Sequence, residues 1–206
     1  MTHVGIVDLG VSNLGSLHAG LSRMGTNPIL LKEGPRDIDI SRLILPGVGS
    51  YAEAIKRLKL SGLFDYVVDA AHKRVPILGI CLGMQLLSNS GEEGGFAVGL
   101  GLIPGRTVKM ESSSTDVRIP HVGWNSVNLR QEHPLFTGIA DNTDFYFVHS
   151  FCVRGAQEEN AIGLTSHGEP FQSVVANGNV IGVQFHPEKS QKNGVQLMKN
   201  FIEWVP

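Results

Sequence analysis

The sequence predicts an α/β fold: a three-layer sandwich with a mostly parallel central sheet and antiparallel additions in the second half. Two observations carry this. Strand-like apolar runs alternate with helical patterns through the first half of the 206 residues, an order that places helices on both faces of a parallel sheet. Beyond Gly91 the pattern changes to short extended stretches between turns, which suits antiparallel pairing.

The first strand is Val4 to Asp8. Ser12 or Asn13 can then cap a helix whose Leu14, Leu17, Leu21 and Met24 recur at helical spacing, and Gly25 ends it. Asn27 to Leu31 is the second strand, and Leu43-Ile44-Leu45 the third, expected to stop at Pro46. Two helices follow, one marked by Ala54, Ile55 and Leu58, the other by Leu63, Val67, Val68 and Ala71 after Ser61. Val75 to Ile80 is the fourth strand. Later, Phe145 to Val148 and Val180 to Phe185 read as antiparallel additions, and Val195, Met198, Phe201 and Ile202 mark a last helix. The polar run Glu111 to Asp116 reads as an exposed loop, too short for an interdomain linker, and no internal repeat is present. With 42% hydrophobic residues, the whole of 1–206 is expected to form one domain.

Composition narrows the function. The formal charge is −2 and only 17% of residues are charged, against roughly 25% in average proteins, so no basic stripe for nucleic acid exists. Neither a signal peptide nor a membrane span is legible, because the longest charge-free stretch, Val75 to Gly91, contains Pro76, Gln85 and Asn89. Cys81 and Cys152 make no disulfide framework, and no Cys or His spacing fits a zinc site. The expectation is a cytoplasmic protein with no metal and no cofactor, acting on small polar metabolites or proteins.

Three segments carry chemistry. Gly79-Ile80-Cys81-Leu82-Gly83 lies where an apolar strand ends and a helix begins, the Gly-x-Cys-x-Gly form of a tight elbow that exposes a nucleophile. The helix N-terminus there favours thiolate at Cys81, and the Leu82 N–H becomes an oxyanion donor. A cysteine in isolation is most often a small buried apolar residue, and the elbow setting is what raises this one above that reading. A cysteine nucleophile also needs a base, and the base needs a group to fix its tautomer; Gln184-Phe185-His186-Pro187-Glu188 offers His186 and Glu188. Strand alternation from Val183 to Glu188 puts Gln184, His186 and Glu188 on one face, with Pro187 a point where the chain can bend. Pro46-Gly47-Val48-Gly49-Ser50-Tyr51-Ala52 has the glycines of a dinucleotide loop but lacks its acidic residue at a following strand end, since Asp65 and Asp69 fall in a helical pattern. Near an elbow such a loop can turn a backbone N–H toward a tetrahedral oxyanion instead.

Leu45-Pro46-Gly47-Val48-Gly49, Gly79 to Gln85 and Gly182 to Ser190 together resemble the class I glutamine amidotransferases, in order and spacing across nearly the whole chain. The resemblance implies a flavodoxin-like sandwich and a glutaminase with Cys81, His186 and Glu188 as its triad. It implies an oxyanion hole from Gly47, Val48, Gly49 and Leu82, and a glutamine pocket lined by Gly49, Gln85, Ser150 and Phe151. Within that class, Pro120-His121-Val122-Gly123-Trp124-Asn125 and Tyr146 to Phe151 are similar to the glutaminase subunit of imidazole glycerol phosphate synthase. That subunit passes ammonia to a (β/α)8-barrel cyclase as a heterodimer. On this resemblance Asn13, His121, Trp124 and Lys189 face the partner, the isolated subunit is weakly active, and Cys152 is structural. Tyr51 and Phe151 depart from that subunit's usual phenylalanine and tyrosine, and two segments, 89–95 and 189–194, resemble paralogues that supply ammonia to amino-sugar synthases. A cysteine peptidase or γ-glutamyl hydrolase on the same elbow is a second enzymatic reading, against which Gln85 and the 146–151 segment argue; a silent activating subunit is a third.

Overall fold

Helical and extended stretches alternate in the computed structural model, which describes residues 2–10, 14–34, 39–111 and 117–206. Ser12, Asn13 and most of the polar run at 111–116 lie outside the described residues. In the first half β1 (His3–Val7), β2 (Asn27–Leu31), β3 (Arg42–Gly47) and β4 (Ile77–Cys81) alternate with α1 (Leu14–Arg23), α2 (Tyr51–Leu60), α3 (Leu63–His72) and α4 (Leu82–Leu86). The second half supplies β5 (Ser90–Gly91), β6 (Ala97–Val98), β7 (Arg106–Lys109), β8 (His121–Leu129) and β9 (Thr143–His149). It continues with β10 (Phe151–Arg154), β11 (Ala161–His167), β12 (Glu169–Asn177), β13 (Val180–Val183) and α5 (Gln191–Glu203).

A parallel block in the order β2-β1-β3-β4-β13 is the centre of the sheet. From β13 the sheet continues antiparallel through β12, β10 and β7, with β11, β8 and β9 branching from β12. Alternation along the parallel strands fills two separate cores. Val4, Ile6, Ile44, Leu78, Ile80, Ile181 and Val183 point toward α1 and α5; Val7, Leu43, Leu45, Ile77 and Val180 point toward α2 and α3. Among the described residues no helix is long and apolar enough to cross a membrane.

Two strands differ from expectation in ways that matter for the site. Val180–Val183 is not an antiparallel addition only: it pairs parallel with β4, Val183 opposite Ile80, while its other edge takes β12 antiparallel. It therefore ends at the same edge of the sheet as Cys81. The third strand runs through Pro46 to Gly47, in register with Ile80 and Cys81. A proline fits because pairing with β1 stops at Ile44, so beyond that point β3 has a single neighbour. The last helix also turns differently: Leu197, Met198 and Phe201 are buried, whereas Val195 is exposed.

Gly194 in α5 makes the closest approach of that helix to the turn at Pro187–Lys189; a Cβ there would collide with the Pro187 carbonyl. Gly194→Ala should destabilise the chain by about 1–3 kcal/mol, the usual cost of overpacking. A lower urea midpoint with an unchanged m value is the expected outcome.

Candidate active site

Cys81 occupies the elbow between β4 and α4 with φ 54 and ψ −112, a backbone conformation that side chains rarely adopt. The flanking glycines make the turn sterically feasible. A Cβ at Gly83 would overlap the Leu45 carbonyl oxygen, and one at Gly79 would sit 2.8 Å from the Gly83 carbonyl group. Gly83 thus rests directly on the backbone of β3 and Gly79 on the backbone of the turn itself, which is why two glycines bracket the cysteine. The helix that follows has only five residues, so its dipole is short.

His186 follows β13, in line with Cys81 across the parallel pair. The strand ends at Val183 rather than running to Glu188, and Pro187 opens a 3-10 turn over Pro187–Lys189. That turn folds Glu188 back so that its Oε1 lies 2.7 Å from His186 Nδ1. Ser190 secures the geometry: its Oγ donates to the His186 carbonyl at 2.6 Å and accepts from the Tyr146 N–H at 3.0 Å. Burial works against a charged His186, but hydrogen bonding and charge from Cys81 and Glu188 outweigh it and raise its pKa to about 10. With Nδ1 held by Glu188, the nitrogen left for Cys81 is Nε2, which is buried and makes no well-aligned hydrogen bond in this arrangement.

A cavity of about 290 Å3 opens beside Cys81, and Val48, Gly49, Leu82, Gln85, Ser150 and Phe151 all line it with Cys81. The structure thus brings together the whole expected pocket and most of the expected oxyanion segment. Gly47 lies beneath, where a Cβ would come 3.1 Å from that of Leu82; Gly49 has φ +104, and Val48 is 40% exposed. Gln85 is buried and spends both amide N–H groups inside the protein, on the Phe151 carbonyl and on Gln184, so any contact it makes with a ligand falls to Oε1.

The residues expected at a partner surface divide. Trp124 is 47% exposed, its ring edge-on to Tyr146, and Lys189 Nζ lies 5.8 Å above the same Tyr146 ring. His121 is only 3% exposed: it stacks between Phe147 and His167 and bonds His149, so its ring is not on offer to a partner in this arrangement. Asn13 lies outside the described residues.

This geometry agrees with the glutamine amidotransferase class-I family model, which matches residues 6–204. The chain belongs to that family. The subunit HisH of imidazole glycerol phosphate synthase from Moorella thermoacetica is 42% identical over 100% of this chain and 96% of its own length. Its counterpart from Methanosarcina acetivorans is 41% identical over 98% and 99%. Among solved structures, PurLQS from Thermotoga maritima superposes with a TM-score of 0.78 at 19% identity, covering 100% of this chain and 99% of that one. A crystal structure of a glutamine amidotransferase gives 0.74 at 17% identity, covering 97% of each. These two likenesses concern the fold.

Two residues of this amidotransferase site escaped sequence reasoning. Glu93 lines the cavity, with its backbone carbonyl held by the Ala52 N–H and the Ser50 hydroxyl at the start of α2; burial raises its carboxyl pKa, and the Tyr51 N–H acts against that rise. A carboxylate there suits an α-ammonium group. His149 also lines the cavity, is 6% exposed, and has its pKa lowered to about 4, chiefly by burial. Alternation along Phe145, Phe147 and His149 was the available signal for its burial.

The raised pKa of His186 has a definite sign in stability. A histidine with a folded pKa of about 10, above its ordinary 6.5, stabilises fully below about pH 6.5, and the contribution is lost as pH climbs through 10. Glu188→Gln removes one of the groups that raise it. The ring titration of His186, followed by NMR, should move to lower pH, and the variant should lose more stability at pH 6 than at pH 10.

Proposed function

We propose that this chain is the glutaminase subunit of an imidazole glycerol phosphate synthase, hydrolysing glutamine to glutamate and ammonia. The ammonia passes to a cyclase subunit of (β/α)8-barrel type, which makes imidazole glycerol phosphate and AICAR in histidine biosynthesis. The observation that carries this reading is the cavity beside Cys81, backed by a His186–Glu188 pair at 2.7 Å, in a chain that aligns end to end with HisH subunits. The continuous sheet supports reading 1–206 as one amidotransferase domain, and the relatives' biosynthetic role supports a cytoplasmic setting.

In the proposed reaction Sγ of Cys81 attacks the side-chain amide carbon of glutamine. Charge develops on the amide oxygen, toward the Leu82 N–H and the Gly47–Gly49 backbone. His186 gives its proton to the departing nitrogen, which leaves as ammonia, and a γ-glutamyl thioester remains. Water then attacks the thioester, His186 takes the water's proton, the C–S bond breaks and glutamate departs. Glu188 holds the imidazole by Nδ1 in both steps. Gln85, Ser150 and Phe151 bind the substrate in the cavity, and Glu93 receives the α-ammonium group.

The partner docks over the exposed Val122, Trp124 and Lys189. His121 serves this face from beneath rather than touching the partner through its ring. Val48 and Gly49 belong to the least covered part of the site, which fits low activity until a partner engages.

Ammonia release from glutamine should be weak for the chain alone and strongly stimulated by the cyclase with its nucleotide ligand bound. Cys81→Ala should lower the stimulated rate by about 10,000-fold or more, the scale seen when a nucleophile is removed. Stimulation only by an amino-sugar synthase would keep the glutaminase and move it to another pathway; turnover that ignores Cys81 would sink the mechanism. Glu93→Gln should raise KM for glutamine by about tenfold with kcat nearly kept, as loss of a charge-assisted contact made equally in ground and transition states implies.

A further inference from the structure

The Phe151 carbonyl fixes the orientation of two buried side-chain amides. A backbone carbonyl can only accept, so the Gln85 atom 2.9 Å from it is the amide nitrogen. That nitrogen has two N–H groups, and its second contact, at 3.1 Å, must therefore be an acceptor: Oε1 of Gln184. With its oxygen committed to Gln85, Gln184 turns its own nitrogen the other way, and Nε2 lies 3.7 Å from Sγ of Cys81. A second line of donors ends on the same carbonyl. His149 Nδ1 lies 2.9 Å from the Phe151 oxygen and so carries hydrogen, leaving Nε2 to accept from His121 Nδ1 at 2.9 Å; His121 Nε2 then accepts from Asn125 at 3.2 Å.

We infer that Gln184 is a further catalytic residue, whose side-chain N–H donates to the Cys81 sulfur as thiolate and as departing thiolate, with Gln85 and the Phe151 carbonyl setting its orientation. This rests on the glutaminase reading of Cys81. Gln184 is fully buried, so no water competes for the contact. Besides His186, the sulfur has the Val148 carbonyl 3.9 Å away, which can accept from a thiol but offers nothing to a thiolate. Gln184 is the neighbour that changes value along the reaction. A hydrogen bond from a buried amide to sulfur strengthens as negative charge gathers there, first in the attacking species and again when the thioester breaks.

The test is alkylation of Cys81 by iodoacetamide across pH, with Gln184→Met, which keeps length and apolar bulk without a donor, and Gln184→Glu, which keeps shape but turns an acceptor toward sulfur. His186 with Glu188, and His149 and Glu93 around the cavity, are the other titratable groups near Sγ and are the same in every variant, so a displaced profile reports Gln184. The profile should move to higher pH in Gln184→Met and further in Gln184→Glu. In complex with the synthase partner, kcat should fall by about 10- to 100-fold, the scale of one hydrogen bond to a charged group, with KM for glutamine within about twofold. Both variants need the parental thermal unfolding transition; if Met disturbs packing, Glu alone decides. A parental alkylation profile in a folded variant overturns the inference while leaving Cys81-dependent turnover, and hence the glutaminase reading, intact. Turnover that survives Cys81→Ala fails that reading separately, since alkylation reports on the sulfur regardless of substrate.

Discussion

The contact between the elbow and the carbonyl of Leu45 is the constraint on which the site depends. Because Gly83 has no side chain, α4 can start directly against β3, and because it starts there, Cys81 is held with positive φ at the turn. Any larger residue at position 83 would push the helix away and let the cysteine relax into the strand. The strained residue is maintained by packing on every side: Ile80 and Leu82 are buried in opposite cores, and Gly182 of β13 lets Met84 close over the next strand.

Three adjacent parallel strands then divide the chemistry. β3 delivers the glycine loop, β4 delivers Cys81 and β13 leads into His186, all at their carboxyl ends, the edge where open α/β sheets place their ligands. His186 is the farthest of the three in sequence, and parallel pairing of β13 with β4 brings it into line without any long flexible connection. The antiparallel region has a different task. It carries the neutral His149 against one wall of the cavity with the neutral His121 bonded to it, both with pKa values lowered mainly by burial, to about 4 and about 3. Positive charge on His149 would stand close to His186 and oppose charge there, so its neutrality favours an imidazolium at His186.

Much of this was legible in the sequence. Helical spacing marked α1, α2, α3 and α5, and the three glycine-bearing motifs marked the elbow, the loop and the base. What escaped depends on distant partners. The parallel pairing of Val180–Val183 could not be read locally, because an apolar run of that length looks the same beside either kind of neighbour. Pro46 looked like a strand end, and its tolerance depends on β1 stopping early. His121 looked like a surface residue of a polar motif, yet Phe147, His167 and His149 enclose it. Glu93 lay in a stretch rich in glycine and acid with no periodicity, and only the anchoring of its backbone to the start of α2 carries it to the cavity.

The two cysteines differ in a way that reaches beyond mechanism. Cys152 is fully enclosed in the core between sheet and helices, and burial raises its thiol pKa, whereas Cys81 opens on a cavity. A thiol reagent applied to folded protein therefore counts competent active sites, and the same reagent after denaturation counts chains. The ratio of those two stoichiometries is a measure of sample quality that the fold supplies on its own, without substrate or partner.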